Sequence, residues 1–327
     1  MIDEVDVLVI GAGSTGLTMA VTLQALGLQS LRDFLVVDAE AGPGGSWRRA
    51  WDFLRVREAI ASGELFFVPG MSELGLEPGA DRLDEPVRDF VPRSFALYED
   101  ANDTAVHRAT RVLRVERVVR PRSRPVLRVL VRCGDGALRS FRTRVVLNAS
   151  GRWSAPFVPW YPGRDEFEGP QIAAARLERI DELAGLRVLV VGGRSTGRSL
   201  LRALVPIAGR VVWSRRAPWP DPPEGVASLP GPIERIGPGH VRFASGTEPI
   251  DAIVWATGSR DSARHLAPVH LRERTPPGRL PRLIEGWSRR EPTIANLGAG
   301  LALPPAEARR RAISIAQEAL GRLQDGG

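Results

Sequence analysis

The chain has 327 residues, 43% hydrophobic and 25% charged, with a net charge of +7 and one cysteine; this is the composition of an ordinary globular protein, long enough for two domains with a core each. The lone Cys133 excludes an intrachain disulfide and a CxxC dithiol, and because all 45 basic residues are arginine, Schiff-base and Walker lysines are excluded as well. The arginines are scattered without aromatic interleaving, no apolar run reaches the roughly 18 residues of a membrane helix, and the opening MIDEVDVLVI lacks a signal peptide's basic start, so the expectation is a cytoplasmic protein that binds neither nucleic acid nor membrane.

In chain order, EVDVLVIGAGSTGLTMAVTLQALGL predicts a buried strand over Val5–Ile10, a glycine turn and a helix running to Gly27. A second strand, DFLVVD, ends at Asp38. Gly11, Gly13 and Gly16 stand at GxGxxG spacing between strand and helix, the context that identifies a dinucleotide-binding βαβ unit. The first glycine permits the tight turn, the second lets backbone approach a pyrophosphate, and the third lets helix pack closely on strand. Asp38, 22 residues beyond Gly16, is placed to accept from ribose hydroxyls.

The stretch from Thr110 to Gly151 alternates apolar and polar residues through three short strands, an antiparallel meander leading into a strand at Val145–Asn148. The proline-rich SAPFVPWYPG, 154–163, reads as an extended crossing into a second domain. There the opening pattern returns in GLRVLVVGGRSTGRSLLRALVPIAGRVVWSRR, and two such units imply two nucleotide sites and two cofactors. PIDAIVWATGSR is a further apolar strand with a small-residue turn, after which the chain is expected to return to the first domain.

GAGSTG, PGGSW, WDFLRV, VLNASGRWSAPFVPWYPGRDEFEG, RVLVVGGRSTG, WSRR, DAIVWATG and ANLGAG, in this order, resemble the two-dinucleotide-binding flavoproteins of the flavin-containing-monooxygenase-like group, over nearly the whole chain. The resemblance implies an α/β fold of two Rossmann-like domains: a discontinuous FAD domain of 1–155 and 250–327 that carries the meander, and a nicotinamide-nucleotide domain of 156–249. It implies that Gly11, Gly13, Ser14, Thr15, Gly16, Asp38, Ala39 and Val112 bind FAD, with Gly45, Ser46 and Trp47 flanking the ribityl chain and ring; Trp47 also reads as ordinary core. Asp52 and Arg55 would approach the flavin edge, or form a solvated salt bridge instead. Asn148, Ala149, Ser150 and Gly151, and then Ala256, Thr257 and Gly258, resemble the turns that cross between domains beside the cofactors, and Gly298 the loop that caps the flavin. Asp52, Arg55 and Asn148 are the catalytic candidates, and none is a clear general acid or base.

In the second unit Gly192, Gly193, Arg194, Ser195 and Thr196 form the expected phosphate loop, but Arg194 replaces the middle glycine; it either obstructs a pyrophosphate or grips it as a charged fork. The following strand ends in Arg215 and Arg216 rather than an acid, which suits the 2′-phosphate of NADPH over NADH, or else is a solvated basic turn. The family's F-x-G-x-x-x-H signature, which ends in an aromatic, is met by Phe167 and Gly169 but broken by Ala173 and Leu177. His107, His240, His265 and His270 lie in different segments with no metal-ligand spacing, and packing or surface roles are assigned to all four. The expected function is an FAD-dependent, monooxygenase-like oxidoreductase: hydride passes from NADPH to flavin and electrons then to O2, with oxygenation of a small organic substrate. The alternatives are a flavoprotein oxidase or dehydrogenase that has lost or repurposed the nicotinamide site, and a non-catalytic flavin-binding protein. A homodimer is the assembly left open.

Overall fold

The computed structural model describes residues 4–63, 65, 67–118, 126–193, 195–215, 222–230, 232–260, 262–271, 283–297 and 305–325. They fall into two units: unit 1 holds 1–48, 55–152 and 261–327, and unit 2 holds 49–54 and 153–260.

In unit 1, β1 (Glu4–Ile10) is buried at most positions, as a parallel strand covered on both faces must be. Helix α1 (Ser14–Ala25) returns the chain so that β2 (Phe34–Val37) pairs parallel to β1, with Val37 opposite Ile10. Helices α2 (Val56–Ala61) and α3 (Val87–Ala101) follow, and β3 (Val106–His107) adds parallel to β2. Strands β4 (Arg111–Val118), β5 (Val126–Arg132) and β6 (Leu138–Asn148) run antiparallel in succession.

The sequence predicts a meander strand and then a separate strand at Val145; the structure makes them one 11-residue strand, β6. Its first part alternates in burial where it pairs with β5, with one face covered. From Val145 onward it is continuously buried and parallel to β1, with Asn148 opposite Ile10. No turn-forming residue interrupts 138–148, so the chain changes sheet environment without breaking.

Unit 2 contains β7 (Gln171–Ala173), β8 (Arg187–Val191), α4 (Ser195–Leu204), β9 (Arg210–Arg215), β10 (Val226–Pro230), β11 (Ile233–Gly237), β12 (His240–Phe243), β13 (Gly246–Pro249) and β14 (Ala252–Trp255). The parallel strands stand in the order β10-β9-β8-β14-β7, and β11 to β13 form a separate antiparallel meander. Leu189, Val212, Phe243, Ile253 and Trp255 belong to the core that joins the two sheets. Its boundary corrects the expected limits of 156–249. Strand β14 pairs with β8 on one side and β7 on the other, so unit 2 continues to Arg260. The segment 49–54 also belongs to it: the Trp51 indole donates to Ala174 O at 2.9 Å and meets Trp153 edge-on.

The last part of unit 1 supplies β15 (Leu283–Ile284), β16 (Trp287–Ser288), β17 (Ile294–Asn296) and α5 (Pro305–Asp325). Strand β17 lies parallel to β6 on the side away from β1, so the path across the sheet is β15-β16-β17-β6-β1-β2-β3. Helix α5, which carried no assignment from sequence, buries Ala312, Ile315, Ala316 and Ala319, one stripe at helical spacing, and packs against α1. No helix among the described residues is long and apolar enough to cross a membrane, and none of them cluster as metal ligands.

The strand starts of unit 2 are tied by charge. Asp251, just before β14, accepts from the Arg187 backbone N–H and from its Nε, both at 2.8 Å, and the guanidinium holds the carboxyl down at about 2, against 3.8 ordinarily. The unfolded chain therefore takes up this proton first as pH falls, and the stabilisation present above about pH 4 is lost toward pH 2. Thermal unfolding followed by circular dichroism is expected to show a weaker decline between pH 4 and 2 for Asp251→Asn than for the parent chain.

Candidate functional site

The carboxyl edge of unit 1's parallel sheet is shaped by three glycines with different physical requirements. Gly11 has φ +99°, and a Cβ there would lie 2.5 Å from Ala149 O. A Cβ at Gly16 would run into Gly11 O. Both are demanded by backbone packing on backbone. Gly13 is not: its φ of −77° and ψ of −176° are open to any residue, and a Cβ would meet nothing within 4 Å among the described residues. The space on its Cβ side is clear of the described residues. Gly13 is also the N-cap of α1, which has no capping side chain and no acid in its first turn. Among the described residues, its first amides and the positive end of the helix dipole thus lack a side-chain partner. An open, uncapped helix start after a buried strand fits a diphosphate.

The loop is anchored to β2. Gly11 N–H donates to Val37 O at 2.8 Å, and Ala12 N–H to Asp38 Oδ2 at 2.5 Å. Asp38 Oδ1 accepts from Glu40 N–H at 2.7 Å. Each oxygen of this buried carboxylate keeps accepting capacity beyond its one backbone donor. The Arg108 guanidinium stands 3.7 Å from Asp38 and also pairs with Glu99, whose carboxyl is pushed up by burial against the opposing pull of Arg108.

The glycines of GPGGSW fold back toward this loop. Gly45, at φ +54°, would place a Cβ 3.0 Å from Gly13 Cα. Ala39 and Ser46 are exposed, and Trp47 is half-buried rather than core. Ser14 is buried, while Thr15 and Val112 are half-buried, Val112 packed against the meander core. After β6, Ala149 N–H donates to Ile10 O at 2.8 Å, Ser150 Oγ donates to Ser262 O at 3.0 Å, and Gly151 turns outward at φ +68°. Asn148, Ala149 and Gly11 are thereby brought to one place.

Asp52 and Arg55 are not brought together as a salt bridge. Asp52 lies in unit 2, with Oδ1 buried and without a hydrogen-bond partner. Arg55 opens α2 in unit 1, its N–H donating to Glu58 Oε2 at 3.0 Å, and neither residue makes an ion pair among the described residues. His265, given a packing or surface role from sequence, is a packed residue that also joins a side-chain hydrogen bond. It is buried, Nε2 lies 3.0 Å from Asn148 Oδ1, and desolvation pushes it down to about 4, so it is neutral at pH 7. The only sequence signal was an Asn closing each of two apolar strands, VVLN and IAN.

Unit 2 repeats the packing. Gly192 has φ +127°, and its Cβ would run into Ala256 O; a Cβ at Gly197 would lie 2.7 Å from Gly192 O. The backbone tie to the next strand is the same, and the side-chain tie differs. Gly192 N–H donates to Ser214 O at 3.0 Å, and Trp213 Nε1–H donates to Gly192 O at 2.7 Å. Arg215 then closes β9 with its guanidinium 4.6 Å above the Trp213 ring. Gly193 and Thr196 are half-buried, and Ser195 opens α4. Arg194, Arg216 and Gly298 lie outside the described residues. Ala256 is buried, Thr257 Oγ1 donates to Phe157 O, and Gly258 O accepts from Phe157 N–H at 2.9 Å. Ala173, at the signature's histidine position, is a packed residue at the end of β7 opposite Trp255, and Leu177 is likewise buried.

No family model matches the sequence. The flavin-containing monooxygenase of Stenotrophomonas maltophilia superposes with a TM-score of 0.80 over 98% of this chain and 99% of that one, at 27% identity. The chain is flavin-monooxygenase-like. Its α/β fold is that of the two-dinucleotide-binding flavoproteins. Among proteins of assigned activity it is 28% identical over 227 residues to the ketocytochalasin monooxygenase of Aspergillus clavatus, a match covering 66% of this chain and 33% of that protein. It is also 28% identical over 224 residues to a Baeyer-Villiger monooxygenase of Streptomyces coelicolor, covering 66% and 38%. The match therefore spans 33% and 38% of the length of these two relatives.

The contrast between the glycines of this flavin-monooxygenase-like chain is measurable without ligand. Gly11→Ala is expected to lower unfolding free energy by more than about 2 kcal/mol, through its positive φ and the clash at Ala149. Gly13→Ala should cost less than about 1 kcal/mol, the weaker N-cap alone. Denaturant unfolding of the two variants without FAD checks both values.

Proposed function

We propose that the chain is an FAD-dependent oxidoreductase of the monooxygenase type that uses NADPH. One observation carries this reading: Gly13 is a glycine that packing among the described residues does not require, at the start of an uncapped helix. Such a position is accounted for by a ligand that comes within contact of the backbone.

In this reading the amides of Gly13, Ser14, Thr15 and Gly16 hold the diphosphate, and the free lone pairs of Asp38 take the ribose. Gly45, Ser46 and Trp47 line the ribityl side, and Val112, Ala149, Ser150 and Gly151 close the remaining wall. Gly192, Gly193, Arg194, Ser195 and Thr196 hold the second nucleotide, and Arg215 and Arg216 take a 2′-phosphate by charge-assisted hydrogen bonds. FAD, when bound, supplies the redox chemistry between NADPH, O2 and a small organic substrate. The residues of the chain bind, orient and shield; none is assigned a proton-transfer step. The free Cys133 fits a reducing compartment, and the cytoplasm is the location proposed, with a homodimer as the assembly to be sought by light scattering.

Ala173 favours a second reading. A packed alanine stands where the signature has histidine, as expected of a flavoprotein oxidase or dehydrogenase whose nicotinamide site has been lost or repurposed.

Anaerobic titration of the purified protein separates these readings. A yellow protein whose flavin is bleached by NADPH faster than by NADH is the expected result. Flavin left oxidised by NADPH but reduced by an organic donor would favour the oxidase reading, and a chain that neither purifies with FAD nor takes it up defeats both. Arg215→Gln is expected to raise KM for NADPH about tenfold, the loss of one charged hydrogen bond, with KM for NADH unchanged.

A further inference from the structure

Three buried polar side chains stand at the carboxyl edge of unit 1's sheet, next to the glycine loop. Ile10, Asn148 and Asn296 are in register across β1, β6 and β17, and the residues directly beneath them, Val7 to Val9, Val145 to Leu147 and Ile294 to Ala295, are apolar and buried. Asn148 and Asn296 are 2% and 1% exposed, and His265, on the turn 264–269, is 8% exposed.

The hydrogen bonds among them run in one direction. Asn148 presents Oδ1 to His265 Nε2 at 3.0 Å, so Nε2 carries the hydrogen. Asn148 Nδ2 in turn donates to Asn296 Oδ1 at 2.8 Å. The relay ends at Asn296 Nδ2, which is buried and has no acceptor among the described residues. A buried donor loses its bond to water and gains nothing unless a group beyond those residues accepts from it.

The backbone of the same residues leads to the nucleotide loop. Leu297 N–H donates to Asn148 O at 3.0 Å, Ala149 N–H donates to Ile10 O at 2.8 Å, and Ala149 O faces the missing Cβ of Gly11. The dangling donor thus sits two strands from the loop, on the edge where a dinucleotide would lie.

We infer that Asn296 Nδ2 donates to an acceptor oxygen of the dinucleotide held by the Gly11–Gly16 loop, and that His265, acting through Asn148, is the positioning residue that fixes the Asn296 amide for that bond. The inference rests on the reading of this loop as the FAD site. Asn296 is a binding residue in this scheme, and His265 touches no ligand.

The test titrates FAD into the full-length, FAD-depleted chain and follows the quenching of flavin fluorescence. Two variants bracket the donor: Asn296→Asp keeps an oxygen for Asn148 Nδ2 but cannot donate, and Asn296→Leu removes the donor without adding charge. Both are expected to raise the Kd for FAD about tenfold or more, while the melting temperature without FAD moves by only a few degrees. His265→Phe should weaken FAD binding less, and His265→Gln, which can still donate to Asn148, should restore it; a merely structural histidine would show no such rescue. FAD affinity within twofold of the parent for both Asn296 variants would mean that internal water satisfies the amide, and overturns the inference while leaving the FAD site intact. A parent chain that binds no FAD overturns the site and the inference together.

Discussion

The structure depends on two backbones brought into contact at the mouth of a parallel strand. Gly16 in α1 rests on the carbonyl of Gly11, and Gly11 rests on the chain leaving β6. No side chain fits in either gap, so the helix start is pinned over the carboxyl edge of the sheet with its amides facing outward. Unit 2 reaches the same arrangement with Gly192, Gly197 and the chain leaving β14. The two loops differ in what ties them to the neighbouring strand. Both have a glycine N–H donating to that strand's carbonyl; beyond it, a carboxylate makes the tie in unit 1 and an indole N–H in unit 2. The first leaves a negative group beside the loop and the second leaves room for Arg215, and from that difference comes the expectation that the two loops take different nucleotides.

Much of this was legible in the sequence because it is local. Glycine spacing between an apolar strand and a helix lies within one short stretch, and both loops appear where it places them. The features that were missed depend on partners far away in the chain. The apolar run of β14 has the same composition whether it joins one sheet or the other, so nothing in PIDAIVWATG places it between β8 and β7. The change within β6 from one covered face to two is imposed by β1 and β17, not by its own residues. Helix α5 buries mainly small residues, Ala312, Ala316 and Ala319 around Ile315, a stripe too weak to stand out among arginines. At the candidate site, the tie from Asp38 to Ala12 follows from the βαβ unit. The bond from His265 to Asn148 crosses from a surface-like turn to a strand end, and no periodicity announces it.

The placement of β17 and α5 has a consequence for how the protein is made. Unit 1 draws its sheet from both ends of the sequence, and the last residues of β6, 146–148, keep one side unpaired until residues 294–296 arrive to fill it. Helix α1 likewise waits for 305–325 to cover it. Unit 2, nearly all of it drawn from 153–260, contains every strand of its own two sheets within that stretch and can close first. Synthesis on the ribosome therefore leaves the surroundings of the Gly11–Gly16 loop as the part completed last, with the open flank at the end of β6 the edge most exposed to mispairing in the interval.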